Sequence, residues 1–133
     1  MKITGTKLAK WQVPLLNEAI SNATSFLSNR YDINKDTLDL ATIRCSNSCR
    51  FAKYTRGYGI IRINLPSKDI YLYDKKSLGK YNTKIKSVGY KVSWTCQLIH
   101  ELTHLIQDLK GEGFGEVEPT RNELDYLKSI GIV

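Results

Sequence analysis

Histidine is scarce in this chain: of 133 residues only His100 and His104 carry an imidazole, so no site within it can draw on three of them. Cysteine is nearly as rare. Cys45, Cys49 and Cys96 are odd in number, which excludes a complete disulfide framework and suits a reducing compartment. Cys45 and Cys49 stand in a C-x3-C spacing, but no second cysteine or histidine pair exists to complete a structural zinc site with them. All three thiols therefore read as packing or turn residues. No apolar run approaches the roughly 18 residues of a transmembrane helix. The segment from Met1 to Lys10 is basic, without the apolar core and small-residue cleavage site of a secretory signal. These absences set the expectation of a cytoplasmic protein with no membrane partner.

What is present is ordinary in amount and uneven in placement. Hydrophobic residues make up 41% and charged residues 25%, and the length suits one domain spanning residues 1–133. The 20 Lys and Arg outnumber the 13 Asp and Glu, for a formal charge of +7. Before position 92 there are 17 basic and 6 acidic residues; from position 92 onward there are 3 and 7. The early excess hints at a polyanionic partner. The late acidic excess falls where the chain's two histidines stand.

Apolar periodicity outlines the elements. Leu15, Leu16, Ala19, Ile20, Ala23, Phe26 and Leu27 repeat at helical spacing and predict an amphipathic helix over residues 12–30, with Pro14 tolerated in its first turn. Residues 29–36 read as a polar turn. Strands are expected at residues 38–44, 50–55 and, most clearly, 60–65, where Ile61, Ile63 and Leu65 alternate with Arg62 and Asn64. Ile70 to Tyr73 suggests a further short strand. Lysines then dominate up to Lys91, with Tyr81 and Tyr90 between them, so residues 50–91 could contact nucleic acid through phosphates and stacked bases; a solvated loop is the plainer reading. Ser93 is an N-cap candidate for a helix ending near Lys110, and the glycines at 111, 113 and 115 predict a reversal before a final helix with Pro119 in its first turn.

Residues 100–104 read His-Glu-Leu-Thr-His, and both histidines of the chain are spent on this HExxH spacing. On a helix, positions i and i+4 share a face, so His100 and His104 can ligate one cation while Glu101, about 100° round, can act as a base on water bound there. Leu98, Leu102, Leu105 and Leu109 form an apolar stripe along the same helix, which suits a metal helix that runs through a core. Catalytic zinc takes three protein ligands and keeps one position open. With no histidine left, the third must be a carboxylate. Glu116, Glu118 and Glu123 follow the glycine turn. Glu118 is favoured narrowly over Glu116, because Asn122, one turn later, could accept a hydrogen bond from the free nitrogen of a ligand histidine. Thr120 stands in the same relation to Glu116, and Glu123, with only Leu127 at that offset, is the least favoured.

The HELTH motif, preceded by a helix and small sheet and followed by a ligand at the start of a helix, resembles a minimal zincin, in particular the SprT-like metallopeptidases. The EVEPTRNE run is similar to the gluzincins, in which a helical glutamate follows HExxH. The likeness implies an α+β fold (N-terminal helix, small antiparallel β-meander, metal helix, C-terminal helix), a Zn2+ cofactor, a peptide or protein substrate and hydrolysis with Glu101 as general base. It implies a substrate strand lying along an edge, either residues 60–65 or 50–55. SprT-like enzymes use a third histidine and often a C-terminal zinc ribbon, and this chain has neither. The alternative is a nucleic-acid-binding module whose zinc is structural or vestigial. Tyr58 and Tyr90 could face an oxyanion but read more simply as packing residues.

Overall fold

In the computed structural model, which describes residues 1–49, 52–72, 83–85 and 87–133, the chain opens with strand β1 (Lys2–Gly5). Helix α1 (Gln12–Tyr31) and the one-turn α2 (Lys35–Leu38) follow, then β2 (Thr42–Ser46), β3 (Lys53–Thr55), β4 (Ile60–Asn64), β5 (Ile70–Leu72) and β6 (Thr83–Ile85). Two helices complete it, α3 (Tyr90–Leu109) and α4 (Val117–Ser129). The class is α+β. No helix among the described residues is long and apolar enough to cross a membrane.

The main sheet has the order β1-β2-β4-β3. It is not the antiparallel meander that the sequence suggests: β1, β2 and β4 run parallel, and only the edge strand β3 is antiparallel, paired with β4. Apolar alternation tells which face of a strand is buried but carries no direction, and parallel neighbours need a crossover of about a dozen residues or more. Helix α1 provides that crossover between β1 and β2, and residues 47–59, including β3, provide it between β2 and β4. β5 and β6 form a separate antiparallel pair. The lysine-rich stretch 73–82, together with Lys86, Arg50 and Phe51, lies outside the described residues.

One face of the sheet is dry. Ile43 and Cys45 of β2, Tyr54 of β3, and Ile61 and Ile63 of β4 join Leu16, Ala19, Ala23 and Leu27 of α1 and much of α3 in a single core. Arg44, Lys53 and Arg62 alternate with them and are exposed on the other face. Leu16, Ala19, Ala23 and Leu27 recur three or four residues apart, so α1 buries one stripe. Helix α3 is buried nearly all round, Lys91 in its first turn and Leu109 at its end excepted, because sheet, α1 and α4 enclose it.

Several boundaries differ from the sequence expectation. The polar stretch before β2 contains α2, capped by the Asn34 side chain accepting from the Asp36 N–H. Helix α3 starts at Tyr90 after Gly89, and Ser93 is no cap: it lies inside the first turn, with its hydroxyl donating to the Asp69 carbonyl. The Gln97 side chain accepts from the Asn64 N–H and donates to the Asn64 carbonyl, while the Trp94 indole also donates to that carbonyl. The end of β4 is thereby tied to the helix that carries the motif.

At Gly5 the backbone is left-handed, with φ of 89°, and a Cβ there would come 2.3 Å from the Cys45 carbonyl oxygen. Gly5→Ala should therefore cost at least about 2 kcal/mol, combining the positive-φ penalty with a backbone clash. Urea unfolding checks this; an unchanged midpoint would refute the tight β1–β2 closure.

Candidate metal centre

Helix α3 brings His100 and His104 one turn apart, and the reversal after Lys110 returns the chain so that Glu116, at the N-terminus of α4, faces both. His100 Nε2 lies 2.8 Å from Glu116 Oε2, and His104 Nε2 lies 3.1 Å from Glu116 Oε1. One oxygen of the carboxylate is thus turned toward each imidazole. Ligand atoms of the three residues all lie within 4.8 Å of one another, a donor set that could hold a metal ion. In a tetrahedral zinc site with bonds near 2.0 Å, such atoms sit about 3.3 Å apart.

The far nitrogens of both rings are also held. His100 Nδ1 is 2.7 Å from Glu123 Oε2, and His104 Nδ1 is 2.8 Å from Gln107 Oε1. Each ring therefore stands between two acceptors, while a neutral imidazole has only one N–H. A proton on each ring resolves this, and so does a shared cation at the Nε2 side with Nδ1–H donated to Glu123 and Gln107, the usual arrangement behind metal-bound histidines. The donor set fits a divalent ion in both chemistry and direction.

Charge energetics agree with the crowding of acceptors. Burial disfavours the His100 imidazolium, but Glu123 and Glu116 outweigh it and hold its pKa well above the ordinary histidine value. Burial likewise lowers His104, and hydrogen bonds to Glu116 and Gln107 raise it more. The hydrogen bonds from His100 and His104 hold the Glu116 carboxyl far below its usual range. Glu123 is raised, burial outweighing its His100 partner. Glu101 is only 5% exposed, with no hydrogen-bond partner among the described residues, and burial pushes its carboxyl up to about 7 against the lowering pull of the two imidazoles.

The remaining site candidates fall elsewhere. The Tyr31 hydroxyl donates to Glu118 at 2.5 Å, which turns Glu118 away from the histidines toward the end of α1. Asn122 bonds no histidine; its amide donates to Tyr31 Oη at 2.7 Å and to Thr103 Oγ1 at 2.9 Å, tying α4 to α1 and to the motif helix. Burial raises the Tyr31 phenol to about 12, so it stays a neutral link in this chain of bonds. Thr120 is buried and bonds neither imidazole among the described contacts; its N–H donates to the Glu116 carbonyl. Tyr58 is 77% exposed in the β3–β4 turn, and Tyr90 packs between Trp11 and Trp94.

Gln107 was missed by sequence reasoning, and Glu123, weighed there only as the least favoured third ligand, instead backs the His100 ring. Both had a signal: Gln107 is three residues after His104 on the same helix, and Glu123 is seven after Glu116, two turns along one face of α4. On the β3 side, the Tyr54 ring lies parallel to His104 at 6.5 Å and Phe114 lies 5.1 Å from His104, closing a wall of rings beside the motif. Asp108 fixes that wall by accepting from the Gly57 N–H at 2.9 Å and the Tyr54 hydroxyl at 2.7 Å.

These bonds, the Gly57 N–H first and then the Tyr54 hydroxyl, hold the Asp108 carboxyl below its usual range. A depressed folded value means that the contribution is fully present above the unfolded pKa, about 4, and is lost as the pH falls from there through the folded value. Asp108→Asn should flatten the acid limb of the stability profile, measured by chemical denaturation between neutral and acid pH. An unchanged limb would refute the anchoring role. Set against protein-family models, curated proteins and solved structures, the chain matches none.

Proposed function

We propose that this chain is a zinc-dependent metallopeptidase in which His100, His104 and Glu116 hold the ion and Glu101 is the general base. The observation that carries the reading is the convergence of both Nε2 atoms on one carboxylate, with both Nδ1 atoms already engaged behind them. Zinc bound by three protein groups lowers the pKa of a water in its open position and polarises a carbonyl. Zinc is preferred to calcium or magnesium because imidazole suits it, whereas those ions take oxygen donors.

The chain's own residues then divide the work. Glu101 follows His100 directly and is buried without a hydrogen-bond partner among the described residues, so its carboxylate is free to take a proton from water and return it to a leaving amine. Glu123 and Gln107 orient the rings. A substrate strand would lie along β3 by β-addition. Of the two edges suggested by sequence, residues 60–65 drop out, since β4 lies between β2 and β3 and is paired on both sides. β3 has no partner on its outer side among the described residues, and its Tyr54 sits beside His104.

Glu101→Gln should retain zinc at wild-type stoichiometry and lose hydrolysis of a denatured protein substrate by a factor of 100 or more, within the span of roughly 10²–10⁴ typical of general acid–base groups. A mutant that binds zinc and still cleaves would contradict the assignment of the base. In competition titrations, Glu116→Ala should lose tight zinc binding, Glu123→Ala should weaken it by about 10–100-fold, and Glu118→Ala should leave it within a few-fold. The reverse order of Glu116 and Glu118 would overturn the ligand choice.

A further inference from the structure

The four strands of the main sheet contain no acidic residue. On the face turned away from the helices, the register sets cations directly beside one another. Thr4 of β1 is level with Arg44 of β2, Arg44 with Arg62 of β4, and Arg62 with Lys53 of the edge strand. Arg44, Arg62 and Lys53 are all exposed, and none forms an ion pair among the described residues. Lys2 adds a further exposed cation on the same face two residues along β1. Like charges opposite one another weaken strand pairing. Here three stand in one row with no acidic partner among the described residues.

Neighbouring strands are about 4.8 Å apart, so the row spans about 10 Å between its outer Cα atoms. A small anion would engage one or two of these side chains; a chain of closely spaced charges engages the row. Duplex DNA offers one phosphate per about 3.4 Å of axis along each strand. The strands expose no aromatic ring on this face, which leaves nothing on which unpaired bases could stack. Among the residues of the four strands, Ile60 is the one apolar side chain on this face, too little to enter a lipid layer. Beside the partly exposed Ile60, the remaining groups are short and polar, Thr4, Thr42, Ser46, Thr55 and Asn64, of the kind that contact phosphate oxygens.

We infer that the open face of the sheet is a docking surface for the sugar–phosphate backbone of duplex nucleic acid, centred on Arg44, Arg62 and Lys53. Binding is independent of base sequence, since the row reads charge spacing and not base edges. The surface lies on the opposite side of the sheet from α3, so the candidate metal centre and the docked duplex do not compete for space. The inference does not rest on the peptidase reading.

The test is fluorescence anisotropy of a labelled 20-base-pair DNA duplex of mixed sequence, titrated with the whole chain between 50 and 200 mM salt. Each backbone contact contributes about 0.9 to the slope of log affinity against log salt. The triple variant R44T/K53T/R62T should lower that slope by about 3 and weaken binding at 50 mM salt by at least tenfold, with its thermal melting unchanged or raised. The control variant K10T/K35T/K128T removes the same charge from exposed positions elsewhere and should shift the slope by less than 1. Equal losses in the two variants, no binding by the wild type, or preferential binding to phosphatidylserine vesicles would each overturn the inference.

Discussion

The Glu116 carboxylate, set between the Nε2 atoms of His100 and His104, is the contact on which the rest of this structure turns. It joins two helices that no tight covalent restraint holds together. α3 brings the imidazoles at helical spacing, whereas α4 must arrive at the right depth and rotation for one side chain to face both. The Asn122 bonds to Thr103 and Tyr31, and the Tyr31 bond to Glu118, fix that rotation. Glu118 is thus a residue of the scaffold, and Glu116, two positions earlier, is left to face the two imidazoles.

Crowding two imidazoles and three carboxylates into one region, with Glu101, Glu123 and His104 buried, is unfavourable unless the charges compensate one another. Glu101 and Glu123 are both nearly buried, and both are pushed toward the protonated form by that burial. Glu116 alone is driven the other way, by hydrogen bonds from both rings. The cluster is therefore rich in acceptors, a condition that a divalent cation relieves, as does a proton on each ring. Such pKa perturbations mark functional sites often enough to support the proposed role, and geometry carries it.

Much of the fold was legible in the sequence where one periodicity acted alone. The stripe from Leu16 to Leu27 and the alternation at Ile61 and Ile63 gave α1 and β4 because each element buries one side. β1 was not legible: four residues reading Lys-Ile-Thr-Gly carry too little alternation, and only pairing with β2 makes them a strand. For the same reason strand direction, and with it the mixed sheet, lay beyond local pattern. His100, Glu101 and His104 share one helix and could be placed by spacing. The choice between Glu116 and Glu118 could not, because it depends on how Tyr31, 87 residues away in sequence from Glu118, meets α4. The cation row was equally hidden, since Arg44, Lys53 and Arg62 become neighbours only through register.

The proposed centre is tested most directly by metal analysis combined with zinc-edge X-ray absorption on the chain purified without added metal. The account predicts close to one zinc per chain, with a first shell of two imidazole nitrogens and oxygen donors, and no sulfur. A chain that holds no divalent ion near unit stoichiometry even after zinc is supplied, or a shell containing sulfur from Cys96 or another cysteine, would contradict it.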